Sequence, residues 1–375
     1  MYLEQLSLTD FRSYHDAEFS PAPSGITMVT GANGAGKTNL IEAVAYLSTL
    51  RSLRGSPPPA MVRAGTQGDT AVVRSRVRHG SRLVSIDAEL HAAGRDRVQV
   101  NGQALRRSRD LLGALQVTVF SPDDLALVKG APGDRRSYVD DLLVALQPRR
   151  YELLSELERV LKQRNALLKS VFSTGWRPGR SLPDDVRVTL DVWDQKLTAT
   201  GESVVAARRE LIEQLGPLVD QAYGALAAGS APPPRLQVEL VYEPSWSGSL
   251  AAALEQSRQD DLRRGVTTVG PQRDDALLSI GSLPARTHAS QGEQRTLALA
   301  LRLAGHRLLT AAIDTPPVLL LDDVFSELDA ARAEALMANL PALSDTQAIL
   351  TTAGALPPGA EPAARYRVED GKLLS

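Results

Sequence analysis

GANGAGKT, residues 31–38, lies between an apolar run at Ile26, Met28 and Val29 and a helical stripe of Leu40, Ile41, Val44, Leu47 and Leu50. Strand, glycine loop and helix in that order predict a phosphate-binding loop of the G-x-x-x-x-G-K-[ST] type. Gly31, Gly34 and Gly36 let the backbone curl until successive N–H groups converge on phosphate oxygens. The helix opening near Lys37 adds its positive end. Lys37 is the expected contact to the β and γ phosphates of ATP and a catalytic group, and Thr38 offers its hydroxyl to Mg²⁺. Ala32, Asn33, Ala35 and Asn39 complete the expected ATP-binding stretch. The chain has only six Lys against 36 Arg, so a Lys at this position is informative.

A Mg²⁺ ion bound beside such a loop needs a carboxylate from elsewhere in the chain. VLLLDD, residues 318–323, is a short buried strand ending in two like charges, an arrangement that is costly unless a cation or partner waits there. Asp322 is the expected metal ligand. Asp323, taken to point to the other side of the strand, is the expected catalytic residue that orients or deprotonates the attacking water. SQGEQRTLALALRL, from residue 290, sets Ser290 and Gly292 at the start of an apolar helix. Ser290 Oγ, the Gly292 N–H and the helix dipole form a second anion site, with Gln291 and Glu293 beside them. One ATP is not easily held at two helix N-termini of one lobe, so the second site is expected to close on ATP bound to another copy, giving an ATP-dependent homodimer. Alone, SQGEQ also reads as an ordinary helix cap.

Outward from these motifs, 375 residues with 43% hydrophobic and 23% charged content exceed one compact domain and predict two lobes. The predicted fold is α/β, a P-loop ATPase head with an antiparallel β subdomain and a helical lid lobe. Its ranges are 1–120 for the N-terminal part of the ATPase lobe, 121–265 for the lid, and 266–375 for the C-terminal part of the ATPase lobe. Leu3, Leu6 and Leu8 mark a first strand, and alternation from Ala71 to Val100 marks the antiparallel sheet. LQVTVF (115–120), LQVELVYEP and AILTTA (348–353) read as further strands, and AAGSAPPP (227–234) as a turn. From Asp134 to about Ala228 the pattern is helical, broken near Pro148, at Gly175 to Pro183, and at Gly216 and Pro217. Leu154, Leu157, Leu161 and Leu168 form one stripe, which suits a packed lid helix better than a coiled coil because the heptads are not sustained. Absence of Cys removes disulfides, thiolate chemistry and Cys-zinc sites and fits a cytoplasmic setting. Neither a signal peptide nor a membrane span is expected.

GANGAGKT, SQGEQ and LLLDDVFSELD, in that order and with a helical insertion before the second, resemble the ATP-binding-cassette class. More narrowly they resemble the RecF recombination-repair family, relatives of the SMC chromosome-organising ATPases. FRSYHDAEF, VFSPDDLALVKGAPGDRRSYVD and TTVGPQRDD extend the resemblance over nearly the whole chain. It implies an ATP-binding loop at Gly31 to Thr38, a Walker B residue at Asp322, a hydrolytic residue at Asp323 and a signature loop at Ser290 to Gln294. It further implies a D-loop at 326–329, including Ser326 and Asp329, a basic residue near the phosphates at Arg12, and a sensing loop near Ser121 to Asp124. The implied role is DNA repair, replication-gap processing and the SOS response: a DNA clamp that helps RecR and RecO load RecA. Thr351 and Thr352 stand where a transporter cassette would carry a switch His, which implies slow hydrolysis.

The formal charge is −2, so any DNA contact must come from a local patch. Residues 51–109 carry 12 Arg against four acids and no aromatic residue, which suits backbone contacts with duplex or junction DNA. Arg51, Arg54, Arg63, Arg74 and Arg76 are the DNA-binding candidates; a merely solvated Arg surface is the alternative. A rival reading of the whole chain is the ATPase subunit of a membrane transporter. A small-molecule kinase is a weaker rival, because no acceptor motif is present.

Overall fold

The computed structural model describes residues 1–66, 68–175, 181–227, 237–313, 315–340, 345–354 and 359–375, apart from the side chains at 108, 109 and 327. The chain opens with β1 (Tyr2–Phe11), β2 (Tyr14–Phe19) and β3 (Gly25–Thr30), then α1 (Lys37–Thr49) after the glycine loop. Strands β4 (Thr70–His79), β5 (Arg82–His91), β6 (Arg97–Val100), β7 (Gln103–Ala104) and β8 (Val117–Phe120) follow. Next come α2 (Ala126–Lys129), α3 (Pro132–Leu146), α4 (Arg150–Ser173) and α5 (Asp184–Ala227). Beyond them lie β9 (Val238–Glu243), α6 (Leu250–Arg264), β10 (Asp275–Ile280), β11 (Leu283–Pro284), α7 (Ala285–His288) and α8 (Gln291–Ala312). The chain closes with β12 (Val318–Asp322), α9 (Ala330–Asn339), β13 (Gln347–Thr352), β14 (Pro362–Glu369) and β15 (Lys372–Leu374).

Contacts divide the chain into two units. The first comprises Met1–Leu125, Gln221–Arg235 and Arg295–Ser375. It holds two six-stranded sheets, of order β2-β1-β4-β5-β6-β7 and β15-β14-β3-β13-β12-β8. In the second of these, β14, β3, β13, β12 and β8 run parallel, so their carboxyl ends gather at one edge, where α/β folds bind ligands. Val318 to Leu321 are fully buried, as a strand covered on both faces requires. The other sheet is antiparallel, as the alternation predicts. Leu3 and Leu6, an odd number of residues apart, both face the core because a bulge between Leu3 and Gln5 resets the alternation.

The second unit comprises Ala126–Asp220 and Leu236–Gln294. It holds α3, α4, α6 and the small sheet β11-β10-β9. The lobe boundary thus falls after Gln294 rather than at 265, because β10 pairs along its whole length with β9 and keeps 275–280 with the helices. The buried stripe of α4 is Leu157, Val160, Arg164, Leu168 and Val171, while Leu154 and Leu161 are only half-buried. Arg164 is fully buried; it donates to Asp194 (2.6 Å), Asp261 (2.7 Å) and Thr267 (2.8 Å), joining α4, α5, α6 and the following loop.

The predicted break at Gly216 and Pro217 does not occur: α5 runs through both. Leu211, Leu215, Val219 and Ala222 are buried on either side of Pro217. At about 1.5–3 kcal/mol for each fully buried large aliphatic side chain, such burial outweighs the cost of about 3 kcal/mol of one interior proline. The break near Pro148 is present between α3 and α4. Part of the predicted interruption at 175–183 and nearly all of the turn at 227–234 lie outside the described residues. No helix among the described residues is long and apolar enough to cross a membrane.

Candidate functional site

The predicted strand, glycine loop and helix are present in the first unit as β3, residues 31–36 and α1. Gly34 and Gly36 have φ of 82° and 122°, which other residues rarely adopt. Lys37 is 6% exposed and its Nζ turns back into the loop, donating to the Gly31 carbonyl (2.9 Å) and the Ala32 carbonyl (3.0 Å). The ammonium is therefore already at the mouth of the curl. A cleft of about 520 Å³ opens beside the loop, lined in part by Thr30, Gly31, Ala32, Ala35 and Ala353. Asn39 donates to Ser13 Oγ (2.9 Å).

Asp322 closes the site from β12, 284 residues beyond Thr38. Its Oδ1 accepts from Thr38 Oγ1 (3.1 Å) and from Thr351 Oγ1 (2.7 Å). Asp322 is 5% exposed. Burial pushes its carboxyl above the ordinary range; the two threonine hydroxyls oppose that shift and the neighbouring Asp323 adds to it. One buried carboxylate beside one hydroxyl is a set of hard oxygen donors that fits Mg²⁺, which keeps several waters and takes phosphate oxygens for its remaining ligands. No cluster of three or more His, Cys, Asp or Glu able to hold a metal exists among the described residues.

Asp323 does not alternate with Asp322 across the strand, as the sequence reading supposed. The strand ends at Asp322, and Asp323 turns into the left-handed region at φ 49° and ψ 26°. Its N–H donates to Thr351 Oγ1 (3.0 Å), while its own Oδ1 is buried with no hydrogen-bond partner among the described residues. Thr351 thus links both carboxylate residues, a role absent from the sequence reading. Its signal is the parallel register that sets Thr351 opposite Asp322.

Arg12 bonds to the helix that follows the phosphate loop and to the segment after it. Its guanidinium grips Glu42 on α1 through two bonds (2.8 and 2.9 Å) and the Ala60 carbonyl through a third (2.7 Å). Ser326 Oγ donates to the Asp323 carbonyl (2.8 Å), and Asp329 caps α9 by accepting from the Arg332 N–H (2.8 Å). At the sensing-loop position, Asp124 accepts from the Ser121 N–H (2.9 Å) and pairs with Arg302 of α8 (2.7 Å).

In the second unit Ser290 opens α8 as a capping box. Its Oγ accepts from the Glu293 N–H (3.3 Å), and its own N–H donates to Glu293 Oε2 (2.7 Å). The hydroxyl donates to the same carboxylate oxygen (2.7 Å). Ser290 and Gln291 are exposed, Gly292 and Glu293 half-buried. The helix-cap reading of SQGEQ and the anion-site reading therefore share the Ser290 hydroxyl, which the Glu293 carboxylate already engages.

The arginines proposed for DNA do not form one uninterrupted positive face. Arg74, Arg76 and Arg78 share the outward side of β4, but Glu4 of β1 takes Arg78 (2.8 Å) and Asp87 of β5 lies 3.9 Å from Arg74. Arg63 turns to Asp10 (2.7 Å). Arg51 and Arg54 follow α1, and the charge of Arg54 reaches Asp322, favouring its ionised form. Antiparallel pairing puts acids from neighbouring strands among the arginines, which a charge count along the chain does not register.

The model of the RecF/RecN/SMC N terminal domain family matches residues 2–355. The DNA replication and repair protein RecF of Streptomyces avermitilis is 44% identical over 383 residues, covering 100% of this chain and 99% of that protein. The recombination mediator protein RecF, solved with ATP in a structure of the RecFOR pathway, superposes with a TM-score of 0.86 at 27% identity, covering 99% of this chain and 96% of that one. The SMC head bound to the C-winged helix domain of ScpA has the same fold at a TM-score of 0.57 and 16% identity. The two RecF relatives are a DNA replication and repair protein and a recombination mediator, not transporter subunits, so the transporter reading falls away. A phosphate loop joined to a carboxylate strand, a serine-capped signature helix and full-length similarity at this level lead to one statement: the chain belongs to the RecF family within the RecF/RecN/SMC group of proteins.

Proposed function

We propose that the protein is an ATP-dependent DNA-binding ATPase of recombinational repair and replication-gap processing, working in the cytoplasm. The observation that carries this reading is the Thr38–Asp322 hydrogen bond (3.1 Å), which brings the loop helix and the carboxylate strand to one point. In this reading the loop N–H groups and Lys37 hold the β and γ phosphates of ATP, and Thr38 and Asp322 hold Mg²⁺. Bound there, the ion supplies charge neutralisation on the phosphate oxygens. Asp323 orients the attacking water with Oδ1, which has no hydrogen-bond partner among the described residues. Thr351 keeps Asp322 and Asp323 in place. Hydrolysis is slow, for want of a switch His after β13, and is stimulated by DNA. A relative solved with ATP supports the nucleotide assignment.

The Ser290 turn of a second copy caps the same ATP, and Ser326 and Asp329 lie near that junction. The dimer closes as a clamp on duplex or gapped DNA and, with RecR and RecO, helps to load RecA. Phosphate must displace the Glu293 carboxylate from the Ser290 N–H and hydroxyl, an exchange of one anion for another at the same donors. Ser290→Arg is the direct test. Because Ser290 is exposed, the variant is expected to fold and to bind ATP as the parent does. The parent should sediment as a dimer with ATP and Mg²⁺ and the variant as a monomer. A variant that still dimerises removes the signature turn from the interface.

Arg76 and Arg74 are the DNA candidates least neutralised on β4, since the neighbouring Arg78 has a close carboxylate and Arg74 only a loose one. Arg74→Gln with Arg76→Gln should weaken duplex binding about equally for any sequence and lower the salt slope by about two, as loss of two phosphate contacts requires. An unchanged slope, read from binding isotherms at several salt concentrations, moves the DNA surface off β4.

A further inference from the structure

We infer that the hairpin of β14 and β15 is a positioning element for the phosphate loop, acting through the backbone of Val368 and through Gly371, which sets Ser13 against Gly36 and Asn39. This rests on reading 31–38 as the triphosphate loop.

Strand β14 pairs in parallel with β3 up to Arg367 opposite Thr30, the last strand residue before the loop. Thr30 Oγ1 donates to the Tyr366 carbonyl (3.2 Å). One residue on, a Cβ placed on Gly31 would lie 2.6 Å from the Val368 carbonyl oxygen, so the loop begins with its backbone pressed against the hairpin. The turn itself is Asp370–Gly371, with φ of 47° and 70°, the two positive values that a two-residue type I′ hairpin demands.

The turn requirement alone explains a glycine in this pair, but not what stands in front of it. A Cβ on Gly371 would lie 2.2 Å from the Ser13 carbonyl oxygen. On its far side Ser13 is equally confined: its Oγ accepts from Asn39 Nδ2 (2.9 Å) and lies 2.5 Å from where a Gly36 Cβ would be. Gly371, Ser13 and Gly36 thus stand in sequence, with a backbone contact that leaves no room for an added carbon at Gly371 and a side-chain contact through the Ser13 hydroxyl at Gly36. Tyr14, next to Ser13, fixes the same residue from below by donating its hydroxyl to the Gly36 carbonyl (2.9 Å). The hairpin is itself anchored, since the Tyr366 hydroxyl donates to the Ser20 carbonyl (2.8 Å) and its ring meets Phe19 edge-on. A shift of the turn therefore passes to Ser13 and from there to the residues that open α1.

The experiment titrates the full chain with a fluorescent ATP analogue, after sedimentation and thermal unfolding have shown that each variant folds. Gly371→Asn keeps a residue that tolerates positive φ but adds the Cβ, and should weaken binding about tenfold. Ser13→Ala removes an exposed hydroxyl and should weaken binding about threefold with an unchanged unfolding midpoint. Lys372→Ala, in the same hairpin and exposed, adds nothing toward Ser13 and should bind as the parent. Parental affinity in both Gly371→Asn and Ser13→Ala overturns the inference. If Gly371→Asn does not fold, Ser13→Ala decides, and parental affinity overturns it. A parent chain that binds no ATP analogue removes the nucleotide reading of the loop and this inference with it.

Discussion

Lys37→Met is expected to weaken ATP binding at least about a hundredfold, which corresponds to roughly 2.7 kcal/mol. The side chain lies where its loss is felt most: 6% exposed, with Nζ within 3.0 Å of two loop carbonyls. Those carbonyls hold the ammonium at the loop mouth before any phosphate arrives, so little conformational entropy is lost when it switches partners. Met fills a similar volume, so the helix and its packing survive. What disappears is one positive charge and its charge-assisted hydrogen bonds, worth about 1.5–3 kcal/mol each. Lys37→Arg separates charge from shape: a planar fork does not reproduce the compact ammonium that bonds both the Gly31 and Ala32 carbonyls, so affinity should fall although the charge remains. Calorimetric titration with ATP and Mg²⁺ reads both variants. Affinity within threefold of the parent in Lys37→Met would show that 31–38 is not a nucleotide loop.

The loop and Asp322 were legible because each depends on local sequence: glycines at fixed offsets before a helical stripe, and an apolar run that stops on a carboxylate. What escaped depends on pairing between distant segments. Thr351 is read from the sequence only as standing in place of a switch His, and gains its link to Asp322 because β13 lies beside β12 with Thr351 opposite Asp322. Arg12 is similar: its grip on Glu42 needs the turn after β1 to face α1, which no spacing in the sequence reveals. The positive patch is interrupted for the same reason in reverse, since the acids set among its arginines, Glu4 and Asp87, come from strands on either side of β4. Pro217 misled in another way. A breaker was read by its local cost, whereas the buried residues on both sides set the outcome. Local chemistry is thus readable residue by residue, and the partners that tune it are not.

Asp323→Asn should leave ATP binding within about threefold of the parent and slow hydrolysis at least about a hundredfold, within the range of about 10²–10⁴-fold that general acid–base groups contribute. Its backbone position survives, because Asn tolerates positive φ and the N–H that bonds Thr351 is unchanged. Its Oδ1 has no hydrogen-bond partner among the described residues, and in the proposed reading it accepts from the attacking water once ATP and Mg²⁺ are bound. Asn keeps an acceptor there but loses the charge that draws the proton away, and its amide nitrogen brings donors where the water's own proton must go. Binding is spared because Lys37 and Thr38 make the phosphate contacts and Asp322 retains its threonine donors. Removing a negative charge beside Asp322 also lowers the cost of keeping Asp322 ionised, since the two carboxylates oppose each other. Slow turnover with intact binding must accumulate the ATP-bound form, so sedimentation should show the variant as a lasting dimer while the parent returns to monomer as ATP is consumed. If the variant hydrolyses ATP at the parental rate, the water is oriented by another residue; if it stays monomeric with ATP, hydrolysis does not time the dimer.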